Sequence, residues 1–119
     1  TPESTGKIEE YGKAAGIEIE LFQSNHEGEI IDKIQDCYNK ADGIVINPAA
    51  YTHTSIAIAD AIRAVSLPAV EVHLTDTDRR EPYRRQSFVR DACIAVIKGR
   101  GFEGYTEAIR LLKENSYGR

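Results

Sequence analysis

Cysteine is scarce in this chain of 119 residues, with only Cys37 and Cys93 present. Two thiols close at most one bridge, and neither belongs to a CxxC or ligand-spaced cluster, so a disulfide scaffold is excluded. Cys37 falls in a helical pattern and Cys93 in an apolar run, and both are expected as buried thiols in a reducing compartment. Glycine and proline number 9 and 4, too few for a fibrous or disordered chain. No 18-residue apolar stretch occurs and the opening TPESTGKIEE holds no apolar signal core. A cytoplasmic protein without a membrane partner is therefore expected. Positive charge is short as well: 15 Lys and Arg against 19 Asp and Glu give −4, the wrong sign for holding nucleic acid by its phosphates. A small anion gripped by a local arginine cluster stays open. No GxGxxG or GxxxxGK[ST] supports dinucleotide or Walker-type phosphate binding. His26, His53 and His73 come from three separate segments without HxH or HxxxH spacing, so a metal site is not expected.

What the chain does have is alternation of two periods. Hydrophobic residues make up 41%, and a domain of this length can bury roughly two thirds of its unfolded surface, so a single domain over residues 1–119 is expected. A helix is expected over 5–15, stopped by Gly16. IEIELF at 17–22 alternates apolar and acidic residues and reads as a strand. A helix over 28–39 carries an apolar stripe of Ile30, Ile31, Ile34 and Cys37. GIVIN at 43–47 then reads as a strand covered on both faces. Thr54 is the expected N-cap of a helix running to Val65, followed by a strand LPAVEVHL at 67–74. After the charged segment TDTDRREPYRRQ, ACIAVI at 92–97 is the last strand. A helix over 102–114 closes the pattern, with Phe102, Tyr105, Ile109 and Leu112 turned inward. Helices alternating with short apolar strands predict an open parallel α/β sheet, in which a ligand binds beyond the carboxyl ends of the strands.

Polar residues gather at those ends. Asn47 ends GIVIN and runs into NPAAYTHTS, while Glu71, His73 and Leu74 end LPAVEVHL. A strand-end asparagine offers a donor and an acceptor, and His73 can exchange a proton near neutral pH. Glu71, two residues earlier on the same strand face, can orient it. Asn47, His53, Glu71, His73 and Arg84 are expected to converge on one cleft. The same residues also suit a plainer arrangement, with Asn47 capping the Pro48 turn and Glu71 and His73 forming a polar pair at the sheet edge. His53 precedes a helix start, where N–H groups favour an anion. Arg79, Arg80, Arg84 and Arg85 are interspersed with Asp76, Asp78 and Glu81, so the segment is no polyanion patch. One or two of its guanidiniums could cover a carboxylate or hydroxyl array.

FQSNHEGEIID at 22–32, GIVINPAAYTHTS at 43–55 and LPAVEVHLTDTDRREPYRRQSFV at 67–89 resemble, in order and spacing, type II 3-dehydroquinate dehydratase, over nearly the whole chain. The resemblance implies a flavodoxin-like domain with a five-stranded sheet of order 2-1-3-4-5. It also implies trimers assembling into dodecamers, and loss of water from 3-dehydroquinate to give 3-dehydroshikimate by anti elimination through an enolate, in the shikimate pathway or quinate catabolism. It implies Asn47 near the substrate carboxylate and C1 hydroxyl, His73 as acid for the departing hydroxyl, and Glu71 as its orienting carboxylate. His53 and Arg84 match groups on the ring hydroxyls, and Leu74 and Thr75 the carboxylate-binding turn. Asp60 matches a residue supplied to a neighbour's site, and Arg80 an arginine near the catalytic tyrosine. Where the family has a histidine in this turn, Asp78 stands here. The alternative is a catalytically inactive, small-ligand-binding relative of the same fold.

The family also opens with a strand and a loop bearing an arginine and the base tyrosine, which match nothing in residues 1–119. Tyr51 and Tyr83 match other positions. The functional enzyme is therefore expected to begin before Thr1, with a strand lying between IEIELF and GIVIN.

Overall fold

A computed structural model describes residues 2–49, 51, 55–74 and 88–117. The first helix, α1 (Pro2–Ala15), ends as expected at Gly16, whose φ of 72° is the left-handed value a side chain disfavours. Gly16 N–H donates to Lys13 O and Ile17 N–H to Gly12 O, closing the helix with the paired bonds of a Schellman turn.

Residues 17–22 depart from expectation. They form no regular element, and among the described residues they pair with no strand. Alternation favours an extended chain, yet a strand exists only where a neighbour answers its N–H and C=O groups. Here side chains of α2 (Glu27–Asp36) hold the segment instead. Lys33 pairs with Glu20 and lies 5.7 Å from the Phe22 ring centroid, and Ser24 Oγ donates to Glu29 at 2.6 Å. Leu21 and Phe22 stay exposed.

Three parallel strands follow in the order β1 (Ile44–Ile46), β2 (Ala69–His73) and β3 (Ala95–Lys98). This three-stranded sheet replaces the expected larger one among the described residues. Its register pairs Ile46 with Glu71 and His73 with Lys98. β2 lies between the other two, and all five of its residues are buried.

Helices cover both faces, as the α/β pattern predicts. On one face, α2 and α3 (Ile56–Val65) bury Ile34, Ile58, Ala61, Ile62 and Val65 against Ile46 and Ala69. The N-cap of α3 is Ser55, not Thr54: Ser55 is buried and its Oγ accepts from Ile58 N–H at 3.0 Å. On the other face, α4 (Glu103–Tyr117) sets Ala108, Tyr105, Leu111 and Leu112 against Val70, Val72 and Ile97. Phe102, expected on that inward face, precedes the helix and is 42% exposed. A 3-10 turn at Arg90–Ala92 takes the start of the expected last strand, so β3 begins only at Ala95.

Candidate active site

Parallel pairing puts the carboxyl ends of β1 and β2 side by side. Alternation then decides which way each polar side chain points. Ile46 is in register with Glu71, so Glu71 and His73 share the α3 face with Ile46 and Ala69. Asn47 is one residue out of phase and turns to the α4 face, where its Nδ2 donates to Tyr105 Oη at 3.0 Å.

Glu71 and His73 form a hydrogen-bonded pair inside β2. Glu71 is wholly buried and His73 is 5% exposed. His73 Nε2 lies 2.9 Å from Glu71 Oε2. A buried carboxylate requires such partners, because losing water without replacement hydrogen bonds is costly. The contact also fixes the imidazole: Nε2–H donates to the carboxylate, and Nδ1 is the nitrogen left to face anything beyond the strand.

Asn47 is exposed and its amide is held at both ends. Its Oδ1 accepts from Ala49 N–H at 3.1 Å, bracing the turn through Pro48 in which Ala49 takes a φ of 51°. The plainer role, a cap on the Pro48 turn, is thus realised. Asn47 and His73 stand at the same sheet edge but on opposite faces.

Leu74 is half-buried, and its carbonyl accepts from Gly101 N–H at 3.1 Å. Asp60 lies on the outer side of α3, its side chain 68% exposed and 3.4 Å from Arg63 Nη1. His53, Thr75, Arg80 and Arg84, with Asp78, lie outside the described residues. No group of three His, Cys, Asp or Glu among the described residues is placed to hold a metal ion.

Two residues near these groups were read from sequence as packing only. Tyr105 meets Asn47 across 58 positions of chain, a separation that no local pattern signals. Cys93 is a half-buried free thiol packed on the α3-side core. Burial, and then the negative charge of Glu71, push it up to about 12. Cys37 is also half-buried; its Sγ–H donates to Lys33 O, and burial raises it despite Lys33 nearby.

A family model described as dehydroquinase class II matches residues 2–113. The 3-dehydroquinate dehydratase of Clostridium acetobutylicum is 56% identical over 106 residues, covering 89% of this chain and 74% of that protein. The one from Campylobacter hominis is 63% identical over 91 residues, covering 76% and 59%. The crystal structure of type II dehydroquinase from Butyrivibrio crossotus superposes with a TM-score of 0.91 at 47% identity, over 94% of this chain and 79% of that one. The flavodoxin-like fold is therefore shared, and the chain spans 74% and 59% of the length of those two curated relatives.

Proposed function

The chain belongs to the class II dehydroquinases, and from that premise we propose that it is a 3-dehydroquinate dehydratase domain whose His73 supplies the acid of the elimination. A base takes the acidic proton beside the ketone and leaves an enolate; the resemblance gives that role to a tyrosine that matches nothing in residues 1–119. Protonating the β-hydroxyl then releases it as water and leaves a conjugated enone. The protonated His73 ring gives that proton from Nδ1–H and is left neutral, while Glu71 holds Nε2–H throughout and so fixes the ring's orientation. The observation that carries this reading is the buried 2.9 Å Glu71–His73 contact on the last residues of a central strand, where an open α/β sheet receives its ligand.

Asn47 contributes from the other face at the same edge, with one N–H and one lone pair left for the substrate. His53, Thr75, Arg80 and Arg84 would complete recognition of the hydroxyls and carboxylate, with the backbone at Leu74. The reaction as read needs no cofactor or metal. The 119 residues act as one domain in the cytoplasm.

Assembly belongs to the same proposal: trimers, associating to dodecamers, with Asp60 reaching a neighbour's site. The outer side of α3 supports it, since Asp60 is exposed there beside Ile56, itself 55% exposed. Light scattering should give a trimer or a multiple of it, and a monomer at micromolar concentration would reject the assembly.

The test of function is incubation of the encoded protein with 3-dehydroquinate, following the absorbance of the enone. Catalysed appearance of 3-dehydroshikimate is expected. Saturable binding without product would favour the inactive ligand-binding relative, and neither binding nor product would end the reading.

A further inference from the structure

We propose that Tyr105 is a positioning residue for Asn47, fixing which end of its amide faces the ligand; this rests on the reading of Asn47 as a substrate-binding group. Ala49 N–H can only donate, so the atom facing it is Oδ1, and Nδ2 must then be the atom facing Tyr105. Tyr105 Oη accepts that bond. Together the two contacts leave the amide one orientation, with one N–H and one acceptor direction open at the sheet edge.

Tyr105 is itself held by the strand end that carries His73. Gly99 N–H donates to His73 O at 3.2 Å and Gly101 N–H to Leu74 O at 3.1 Å, so the chain entering α4 is latched to the end of β2. Gly101 makes the turn with a φ of 55°. Gly104 then lies so close to the sheet that a Cβ there would stand 3.0 Å from Val72 Cγ1. The Tyr105 ring stacks on Phe102, with centroids 6.3 Å apart and planes 23° from parallel. The phenol therefore links β2, which carries His73, to Asn47 at the end of β1. It sets the amide relative to the proposed acid, although the two groups sit on different faces. Phenylalanine at 105 would keep the packing and the stack and remove only the acceptor.

The experiment is a double-mutant cycle in the encoded protein: Tyr105→Phe, Asn47→Ala and both together. Each is assayed for turnover of 3-dehydroquinate, and the Asn47 side-chain amide is observed by ¹⁵N–¹H spectroscopy. Tyr105→Phe should raise KM by about threefold to tenfold, the range for one lost hydrogen bond, with kcat within about twofold. The double variant should match Asn47→Ala, and the Asn47 amide pair should shift in Tyr105→Phe. A Tyr105→Phe effect of the same size with and without Asn47 would overturn the proposal, as would an unchanged KM. If the unsubstituted protein makes no product, the functional reading fails and the amide spectrum still decides. A shifted Asn47 pair keeps Tyr105 as its positioning partner, and an unmoved pair removes it.

Discussion

The two faces of one sheet handle polar groups in opposite ways. Toward α3, Glu71 and His73 are enclosed with a thiol pushed up to about 12, and a charge there has only protein to answer it. Toward α4, Asn47 is exposed and neutral, held by a phenol and a backbone amide that water could replace. Enclosure makes the first face sensitive to protonation and intolerant of losing a partner. The second face can lose a hydrogen bond cheaply, because the freed group is hydrated. One face is thus suited to moving a proton, and the other to recognising shape and hydrogen-bonding pattern.

The strongest test of that division is His73→Ala. It should lower kcat by at least about 10²-fold, the lower range for a positioned acid, whereas loss of the Tyr105 hydroxyl should act on KM. It should also lower stability, by up to about 3 kcal/mol, because the imidazole is taken from a fully buried carboxylate. Steady-state kinetics and urea unfolding measure the two effects. An unchanged kcat would remove the acid, and a kcat effect equally large in Tyr105→Phe would erase the difference between the faces.

A second comparison concerns tightness. Gly104→Ala would bring a Cβ to 3.0 Å from Val72 Cγ1 and 3.4 Å from Ile97 Cγ2, so Val72 or α4 must give by a few tenths of an ångström. Overpacking costs about 1–3 kcal/mol, offset by about 1 kcal/mol of helix propensity, so a net loss of up to about 2 kcal/mol is expected in thermal or urea unfolding. Equal stability would mean that the α4 face is the looser one. On the α3 side, Ser55→Ala removes the oxygen that accepts from Ile58 N–H and should cost about 1 kcal/mol in the same measurement. A negligible loss would show that water replaces this cap despite its burial.

The sequence made the layers legible because each strand and helix carries its own period. Ile30, Ile31 and Ile34 face the core as their spacing requires, and AVEVH is the enclosed central strand. The pairing of Glu71 with His73 followed from two-residue spacing, a local fact. Burial of His73 did not, since a polar strand end looks solvated until β3 is known to run beside it. Residues 17–22 misled for the same reason: alternation reports an extended backbone, while pairing depends on a neighbour. Asn47 was placed at the correct strand end, while the face it turns to depends on a register between strands that neither segment encodes alone. Tyr105 was invisible as a partner, its inward-facing period being all that the helix records.

The smallest expected effect probes the field inside the enclosed face. Folding keeps the Cys93 thiol neutral far above its ordinary value of 9.0, chiefly through burial and then through the Glu71 charge. Where a folded-state pKa is raised, stability is full below the unfolded value. It falls as pH climbs from there toward about 12, because only the unfolded chain ionises in that window. Alkylation follows the thiolate, so native Cys93 should react far more slowly than the unfolded thiol at pH 8. Glu71→Gln keeps the shape of the side chain and removes its charge. With burial still dominant, Cys93 should then react faster by less than about tenfold, one pKa unit, while Cys37, whose shift comes from burial and the Lys33 neighbourhood, keeps its rate. Mass spectrometry of timed alkylation reads both thiols in one sample. A Cys93 rate that ignores Glu71→Gln would mean that the carboxylate field does not reach the thiol. The enclosed face would then be no better at transmitting charge than the open one.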